Sequence, residues 1–73
     1  MASLLATFSQ NLKTLRLEKG FTQEGLADAC EFHRTYIGAM ERGERNISLR
    51  NLEKLAAVLE VTAASLITAR TND

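Results

Sequence analysis

Apolar residues recur at helical spacing in five short stretches of this chain, and this periodicity constrains the fold more than any other feature. The first stretch places Leu5, Phe8, Leu12 and Leu15 three or four positions apart. No stretch alternates as a strand does, and proline is absent. Seventy-three residues suffice for one domain. The pattern predicts an all-α fold, a compact five-helix bundle formed by residues 1–73 as a single domain.

Residues that favour helix ends separate the five stretches. Gly20 and Gly43 are typical of helix stops, and Thr22, Ser48 and Thr62 are good N-caps for the second, fourth and fifth helices. A short helix, a tight turn at Glu31–Phe32 and a second short helix with a polar start form a helix-turn-helix pattern. The second of these helices, about 33–42, is the predicted recognition helix.

The recognition helix has two different faces when it is drawn at 100° per residue. Ile37, Met40 and Glu41 fall on one side. The opposite side has cations at its ends and small residues between them, and consists of Arg34, Thr35, Gly38, Ala39 and Arg42. A helix with a nearly bare centre suits close contact with another surface, such as the major groove of DNA, which is about 12 Å wide.

The residue types on the outward face suggest separate roles. Arg34 can donate two hydrogen bonds to a guanine, and Thr35 can bond a base or touch a thymine methyl. These two are the predicted specificity contacts. Side chains better placed to bind phosphate, which positions a protein without selecting sequence, are Gln23, Tyr36, Arg42, Arg45 and Asn46.

Each of these residues also has a simpler interpretation. Arg34 and Arg42 suit solvated surface charges, because most surface arginines need no further explanation. Gly38 suits a close crossing of two helices, Tyr36 a half-buried core ring, and His33 the N-cap of the third helix. The convergence of all of them on one face behind a helix-turn-helix spacing favours DNA.

Charge, cysteine and hydropathy limit the other classes of function. Nine basic and nine acidic residues cancel, so DNA is contacted through one face rather than by bulk attraction. The N-terminus lacks a signal peptide, no segment suits a membrane span, and the single Cys30 fits a reducing cytoplasm. Cys30 and His33 do not make a zinc site. We expect a cytoplasmic protein with no metal, cofactor, catalytic residue or enzyme activity.

The segment "FTQEGLADACEFHRTYIGAMERGERNISLRNLEKLAAVLEV" resembles the phage-repressor (Cro and lambda-repressor-like) helix-turn-helix family. The similarity runs from about Phe8 to Leu66. It is carried by "TQ" and "LA" in the second helix and by "I", "ER" and "G" in and after the third. Within that superfamily, "HRTYIGAMERGERNISLRNL" is similar to the controller proteins of restriction–modification systems, which are small dimeric activator-repressors.

The resemblance implies roles for particular residues. It places Arg34 and Thr35 at base-contacting positions, Gln23 at a phosphate-binding position, and Ala39 where some relatives have a polar base-contacting side chain. An apolar touch of Ala39 on a thymine methyl would replace that contact. The resemblance also implies a structural ion pair between Arg16 and Glu41.

Two residues depart from the family pattern. Glu31 occupies a turn position that is usually glycine or asparagine with positive φ. A non-glycine residue in that conformation costs on the order of 1 kcal/mol. His33 replaces the usual Asp, Ser or Thr cap, which opens the way to a pH dependence of DNA binding.

Such domains bind palindromic operators as two-fold dimers, and we expect a homodimer here. Its predicted interface lies in the C-terminal region, about 48–69, and comprises Leu49, Val58, Val61, Leu66 and Ile67. The alternative is that these residues belong to the core of the monomer, and for Leu66 both interpretations are open.

Two further hypotheses concern partners. The fold also suits a protein-interaction module, such as an antitoxin that binds a toxin. The acidic stretch from Glu18 to Asp28 is a candidate contact for RNA polymerase, although a solvated face is the simpler interpretation.

Overall fold

The computed structural model describes residues 3–70 of the chain, and within that range it contains helices and no strand. The helices are α1 (Leu4–Glu18), α2 (Gln23–Cys30), α3 (Arg34–Glu41), α4 (Leu49–Leu59) and α5 (Ala63–Ile67). The predicted all-α, five-helix fold is therefore confirmed. No helix in this range combines the length and the apolar character needed to cross a lipid bilayer.

Side-chain caps define where four of the helices begin. The hydroxyl oxygens of Ser3, Thr22, Ser48 and Thr62 accept hydrogen bonds from backbone N–H groups three residues ahead, at 3.0, 2.9, 3.1 and 3.1 Å respectively. Each bond satisfies a donor that the helix itself leaves unpaired, which contributes about 1 kcal/mol. The caps fix the short connections, and these in turn set the order of the helices around the core.

The core lies where the inner faces of all the helices meet. α2 packs against α3, α1 packs against α3 and α5, and α4 packs against α2 and α5. The largest side chains that are fully buried come from every helix: Phe8, Leu12, Leu26, Ile37, Met40, Leu55, Leu59 and Leu66. α3 contributes Ile37 and Met40 to this core, so its opposite side is the one turned to solvent.

Leu66 corrects part of the predicted dimer interface. Its side chain is 0% exposed and belongs to the core of the monomer. A residue without accessible surface cannot contact a second chain, so its assignment to the interface was wrong. The periodicity of a five-residue helix could not distinguish the buried side of α5 from the exposed side.

Asn11 was not predicted to matter, yet it ties α1 to the end of α5. Its side chain is buried in α1, and Nδ2 lies 3.2, 3.1 and 2.8 Å from the carbonyl oxygens of Ser65, Leu66 and Thr68. Such a donor pairs carbonyls that the end of α5 would otherwise leave without a partner. The short α5 is therefore held in place by a polar contact as well as by Leu66.

The turn of the helix-turn-helix passes through a left-handed residue. Glu31, the C-cap of α2, has φ 60° and ψ 37°, so the sequence-based expectation of positive φ at this position agrees with the structure. Its backbone N–H bonds to the carbonyl of Asp28, and that of Phe32 bonds to the carbonyl of Ala27. These bonds end α2 and direct the chain into α3.

Replacement of Glu31 by glycine is expected to stabilise the protein by about 1 kcal/mol, because glycine adopts positive φ without a steric penalty. The same sign is expected for Glu60→Gly, since Glu60 has φ 58° at the end of α4. Glu53→Gly is the matched control, an exposed glutamate inside α4, and it should destabilise by about 1 kcal/mol. Urea unfolding followed by circular dichroism measures all three, and a loss of stability in Glu31→Gly would contradict the strain argument.

Candidate nucleic-acid interface

The exposed face of α3 begins with Arg34 and Thr35. His33 is the N-cap of the helix and Arg42 its C-cap, so the helix itself agrees with the predicted span of about 33–42. Arg34, Thr35 and Arg42 are exposed, and Ala39 is half-buried between them. Two cationic side chains and one hydroxyl side chain thus lie along the solvent side of a helix whose other side is buried in the core.

Arg34 has one nearby carboxylate. Its Nη1 atom lies 3.7 Å from Oε2 of Glu24, and both side chains are about two-thirds exposed, at 68% and 67%. An exposed ion pair of this length stabilises the protein by less than about 1 kcal/mol. The guanidinium can therefore leave Glu24 at little cost when a better partner, such as a guanine edge, is present.

Gly38 corrects the interpretation of the recognition helix. It is buried rather than bare to solvent, and a Cβ added there would lie 3.1 Å from Nη1 of Arg42 and 3.4 Å from Oε1 of Gln23. The side chains of Gln23 and Arg42 cross over this glycine. The absence of a side chain thus gives room to two predicted phosphate contacts, and the crossing is made by side chains rather than by a second helix.

Gly38→Ala is expected to separate stability from DNA binding. Alanine favours the helix by about 1 kcal/mol, and the atoms its Cβ meets are the ends of flexible side chains that can shift. Stability should therefore rise by a few tenths of a kcal/mol up to about 1 kcal/mol, while displaced Gln23 and Arg42 bind DNA several-fold more weakly. Thermal unfolding and gel-shift titration give the two readouts. Unchanged DNA affinity would contradict the role of the two displaced side chains.

Gln23 is held by a buried ion pair. Its Nε2 donates to Oε1 of Glu41 at 3.1 Å. Arg16 donates to the same carboxylate through Nε at 2.6 Å and through Nη2 at 3.1 Å. The side chains of Arg16 and Glu41 are only 8% and 4% exposed. The structure thus places in contact Arg16 and Glu41, the two residues that the resemblance paired. The carboxylate of Glu41 orients the amide of Gln23 at the start of α2.

Tyr36 is braced from three directions beside α3. Its ring meets Phe32 edge-on with centroids 5.2 Å apart, and the guanidinium carbon of Arg45 lies 5.5 Å from the ring centroid. Nδ2 of Asn51 donates to the hydroxyl oxygen at 3.2 Å. Since that oxygen accepts from Asn51, the O–H is available as a donor, which is what a phosphate contact requires.

An open groove runs between α3 and the start of α4. It collects most of the predicted DNA contacts, and its lining includes Thr35, Tyr36, Ala39, Arg42, Arg45, Asn51 and Lys54. Two of the lining residues pair with each other: Nε of Arg42 lies 3.1 Å from Oε2 of Glu44, and that hydrogen bond raises the pKa of Arg42. The groove brings a hydroxyl, a phenol and several cations onto one surface.

Asn51 and Lys54 are groove residues that the sequence did not reveal. Nζ of Lys54 lies 5.3 Å from the ring centroid of Phe32 and donates to the carbonyl of Cys30 at 3.3 Å. No local signal marked either residue, because α4 meets α3 only through tertiary packing. Asn46, in contrast, lies at an apolar concavity on another part of the surface and is not among the groove residues.

Cys30 has the properties of a core residue. Burial raises the pKa of its thiol, and the positive charge of Lys54 opposes that shift to a smaller extent. A thiol with a raised pKa is a weak nucleophile. Residues 3–70 contain no group of three or more His, Cys, Asp or Glu side chains that could hold a metal ion.

The predicted dimer residues do not share one surface. Leu49 and Ile67 are 80% and 37% exposed, and both line the apolar concavity together with Leu4, which is 64% exposed. We call Leu4, Leu49 and Ile67 the apolar patch. Val58 and Val61 are half-buried against the core near the other end of α4. The sequence did not single out Leu4, because only the fold brings the start of α1 beside α4.

Two short helices joined by a tight turn, the second with an exposed polar and cationic face, define a helix-turn-helix domain. Residues 12–66 match the helix-turn-helix family, and the chain belongs to that family. It is 45% identical over 64 residues to a hypothetical transcription factor of Neisseria meningitidis, an alignment that covers 88% of this chain and 60% of that protein.

Solved structures place the chain more narrowly among restriction–modification controller proteins. The controller C.AhdI from Aeromonas hydrophila is 45% identical, with a TM-score of 0.82 over 85% of this chain and 94% of that one. The controller C.Esp1396I, as a tetramer in complex with its natural 35 base-pair operator, is 41% identical, with a TM-score of 0.80 over 90% of this chain and 87% of that one. The Neisseria relative is thus described as a transcription factor, both solved relatives as controllers, and one of these controllers is bound to operator DNA.

Proposed function

We propose that this protein is a restriction–modification controller, a regulator of transcription that binds palindromic double-stranded DNA operators as a homodimer. The observation that carries the proposal is the α3 face, where Arg34 and Thr35 are exposed while Ile37 and Met40 anchor the helix in the core. In proteins of this type, the helix that enters the major groove is fixed to the core on one side and exposes hydrogen-bond donors on the other.

The contacts fall into two groups. Arg34, Thr35 and Ala39 would contact bases in the major groove of DNA. Arg34 and Thr35 are exposed, and the short side chain of Ala39 suits an apolar contact with a thymine methyl. Gln23, Tyr36, Arg42 and Arg45 flank them and bind phosphates, which fixes the register of the protein on DNA. Asn46 remains a weaker candidate, because it lies beside the apolar concavity.

The proposed dimer interface combines the predicted region, about 48–69, with the start of α1. The apolar patch exposes three large side chains near one another, and a second copy of the chain would cover them in an isologous interface. Support also comes from C.Esp1396I, a similar protein whose tetramer occupies its operator. Val58 and Val61 are secondary candidates at the far end of α4.

The proposal extends to a cytoplasmic regulator without cofactor or enzyme activity. The groove is open and exposes a hydroxyl, a phenol and several cations, which suit contacts with phosphates and bases. A contact of exposed Asp28 and its acidic neighbours with RNA polymerase is a second proposal. The alternative is a toxin-binding module of the same fold. A protein that binds no DNA in the test below would favour this alternative.

The test is selection of bound duplexes from a random pool, followed by two variants. Arg34→Ala should lose about 1–3 kcal/mol of preference between operator variants at one base pair while non-specific binding persists. Arg45→Ala should weaken binding to all DNA and lower the slope of log affinity against log salt by about one. Arg70→Ala, an exposed arginine at the end of the described chain, is the control. A pool that yields no palindrome, with both variants unchanged, would contradict the proposed function.

A further inference from the structure

His33 contacts the base-contacting candidate Thr35 at two atoms. Nδ1 of His33 lies 3.2 Å from the backbone nitrogen of Thr35 and 2.8 Å from its side-chain oxygen Oγ1. Both side chains are exposed, at the end of α3 that carries Arg34. The N-cap of the recognition helix is therefore bonded directly to a hydroxyl that would meet DNA.

The first of these contacts assigns the ring protons. A backbone N–H can only donate, so Nδ1 of His33 is the acceptor and the proton of the neutral ring is on Nε2. With Nδ1 in that state, the hydroxyl of Thr35 can bond to it only by donating its own hydrogen. Oγ1 of Thr35 has one hydrogen, and it is committed to His33. Toward its surroundings this oxygen is therefore an acceptor.

We propose that His33 is a positioning residue that sets which bases Thr35 prefers, an inference that rests on the function proposed above. An oxygen limited to accepting matches the major-groove donors, which are the N6 amino group of adenine and the N4 amino group of cytosine. A protonated ring reverses this polarity. The backbone N–H of Thr35 then loses its acceptor, Nδ1–H donates to Oγ1 instead, the hydroxyl hydrogen turns away from the ring, and Thr35 matches acceptors such as O6 of guanine or O4 of thymine.

Imidazole is the side-chain group whose charge ordinarily changes between about pH 5.5 and pH 8. On its own helix His33 is followed by Arg34, with Glu24 of α2 beyond. The charged side chains that line the same groove from the turn, from α3, from the loop after α3 and from α4 are Glu31, Arg42, Glu44, Arg45 and Lys54. Carboxylates, ammonium groups and guanidinium groups ordinarily titrate outside this interval, and the chain contains one histidine.

The experiment measures base preference rather than affinity alone. The operator selected from a random pool is synthesised with each of the four base pairs at every half-site position. Competition binding is then measured for the wild type, His33→Asn and Thr35→Val at about pH 8 and about pH 5.5. Asparagine is a good N-cap whose amide oxygen accepts at both pH values. Circular dichroism checks that each protein is folded under both conditions.

Thr35→Val should identify the contacted base pair, as the position where preference is lost. There the wild type should favour adenine or cytosine by about fivefold at the higher pH, and this preference should vanish or reverse at the lower pH. His33→Asn should keep it at both. The inference is overturned if the base preference of the wild type does not depend on pH at that position, if His33→Asn changes with pH as the wild type does, or if Thr35→Val loses no preference. In each of these cases the selected operator still supports the proposed function. A pool without any selected operator overturns both.

Discussion

Leu49→Glu is expected to convert the dimer into a monomer and to weaken operator binding by about a thousandfold. Leu49 is 80% exposed in the isolated chain, so the substitution removes no core contact and should leave the fold intact. In an isologous dimer every substitution occurs twice. Two leucines lost from the interface, at about 2 kcal/mol each, amount to about three powers of ten in the dissociation constant. Sedimentation at micromolar concentrations measures the oligomeric state.

Leu17→Glu is the matched control for this prediction. Leu17 is also a large exposed apolar residue, at 58%, but it lies at the far end of α1 from Leu4 and is not part of the apolar patch. It should remain dimeric and bind the operator as the wild type does. If Leu49→Glu stays dimeric, or if Leu17→Glu dissociates instead, the interface lies elsewhere on the molecule.

The sequence was sufficient to predict the helices because each carries its own local signals. Thr22, Ser48 and Thr62 are N-caps in the structure as the pattern indicated. Glu31 adopts the positive φ that its place in the helix-turn-helix demands. The caps depend on residues a few positions apart, so periodicity and capping preferences suffice to find them, whereas the left-handed turn at Glu31 was expected from the family resemblance.

What the sequence could not reveal depends on contacts between distant segments. Gly38 was assigned to the solvent face by helical geometry, but the side chains of Gln23 and Arg42 cover it. Leu66 and Ile67 are adjacent in sequence, yet only the fold buries the first and exposes the second. Leu4 joins the apolar patch because α1 starts beside α4. In each case the exposure of the residue depends on a neighbour that lies in another helix, or on a side chain whose direction the sequence does not fix.

Removal of one partner of the Arg16–Glu41 pair is expected to cost about 3–5 kcal/mol, a large part of the stability of so small a domain. Both side chains are buried, so Glu41→Met leaves the guanidinium of Arg16 without its counter-charge, and Arg16→Met leaves the carboxylate of Glu41. Either isolated charge is costly to bury. Guanidinium unfolding of both single variants measures the loss.

The double variant Arg16→Met, Glu41→Met tests whether the ion pair itself stabilises the protein or whether each charge only offsets the cost of burying the other. With both charges gone, apolar side chains of similar length pack between α1 and α3, and stability should exceed that of either single variant. Some loss relative to the wild type is expected, because the carbonyl of Phe21 accepts from Nη1 of Arg16 and the amide of Gln23 donates to Glu41. A double variant whose loss equals the sum of the two single losses would show that the residues act independently. Since Glu41 also orients Gln23, the double variant should bind operator more weakly than the wild type even where it is fully folded.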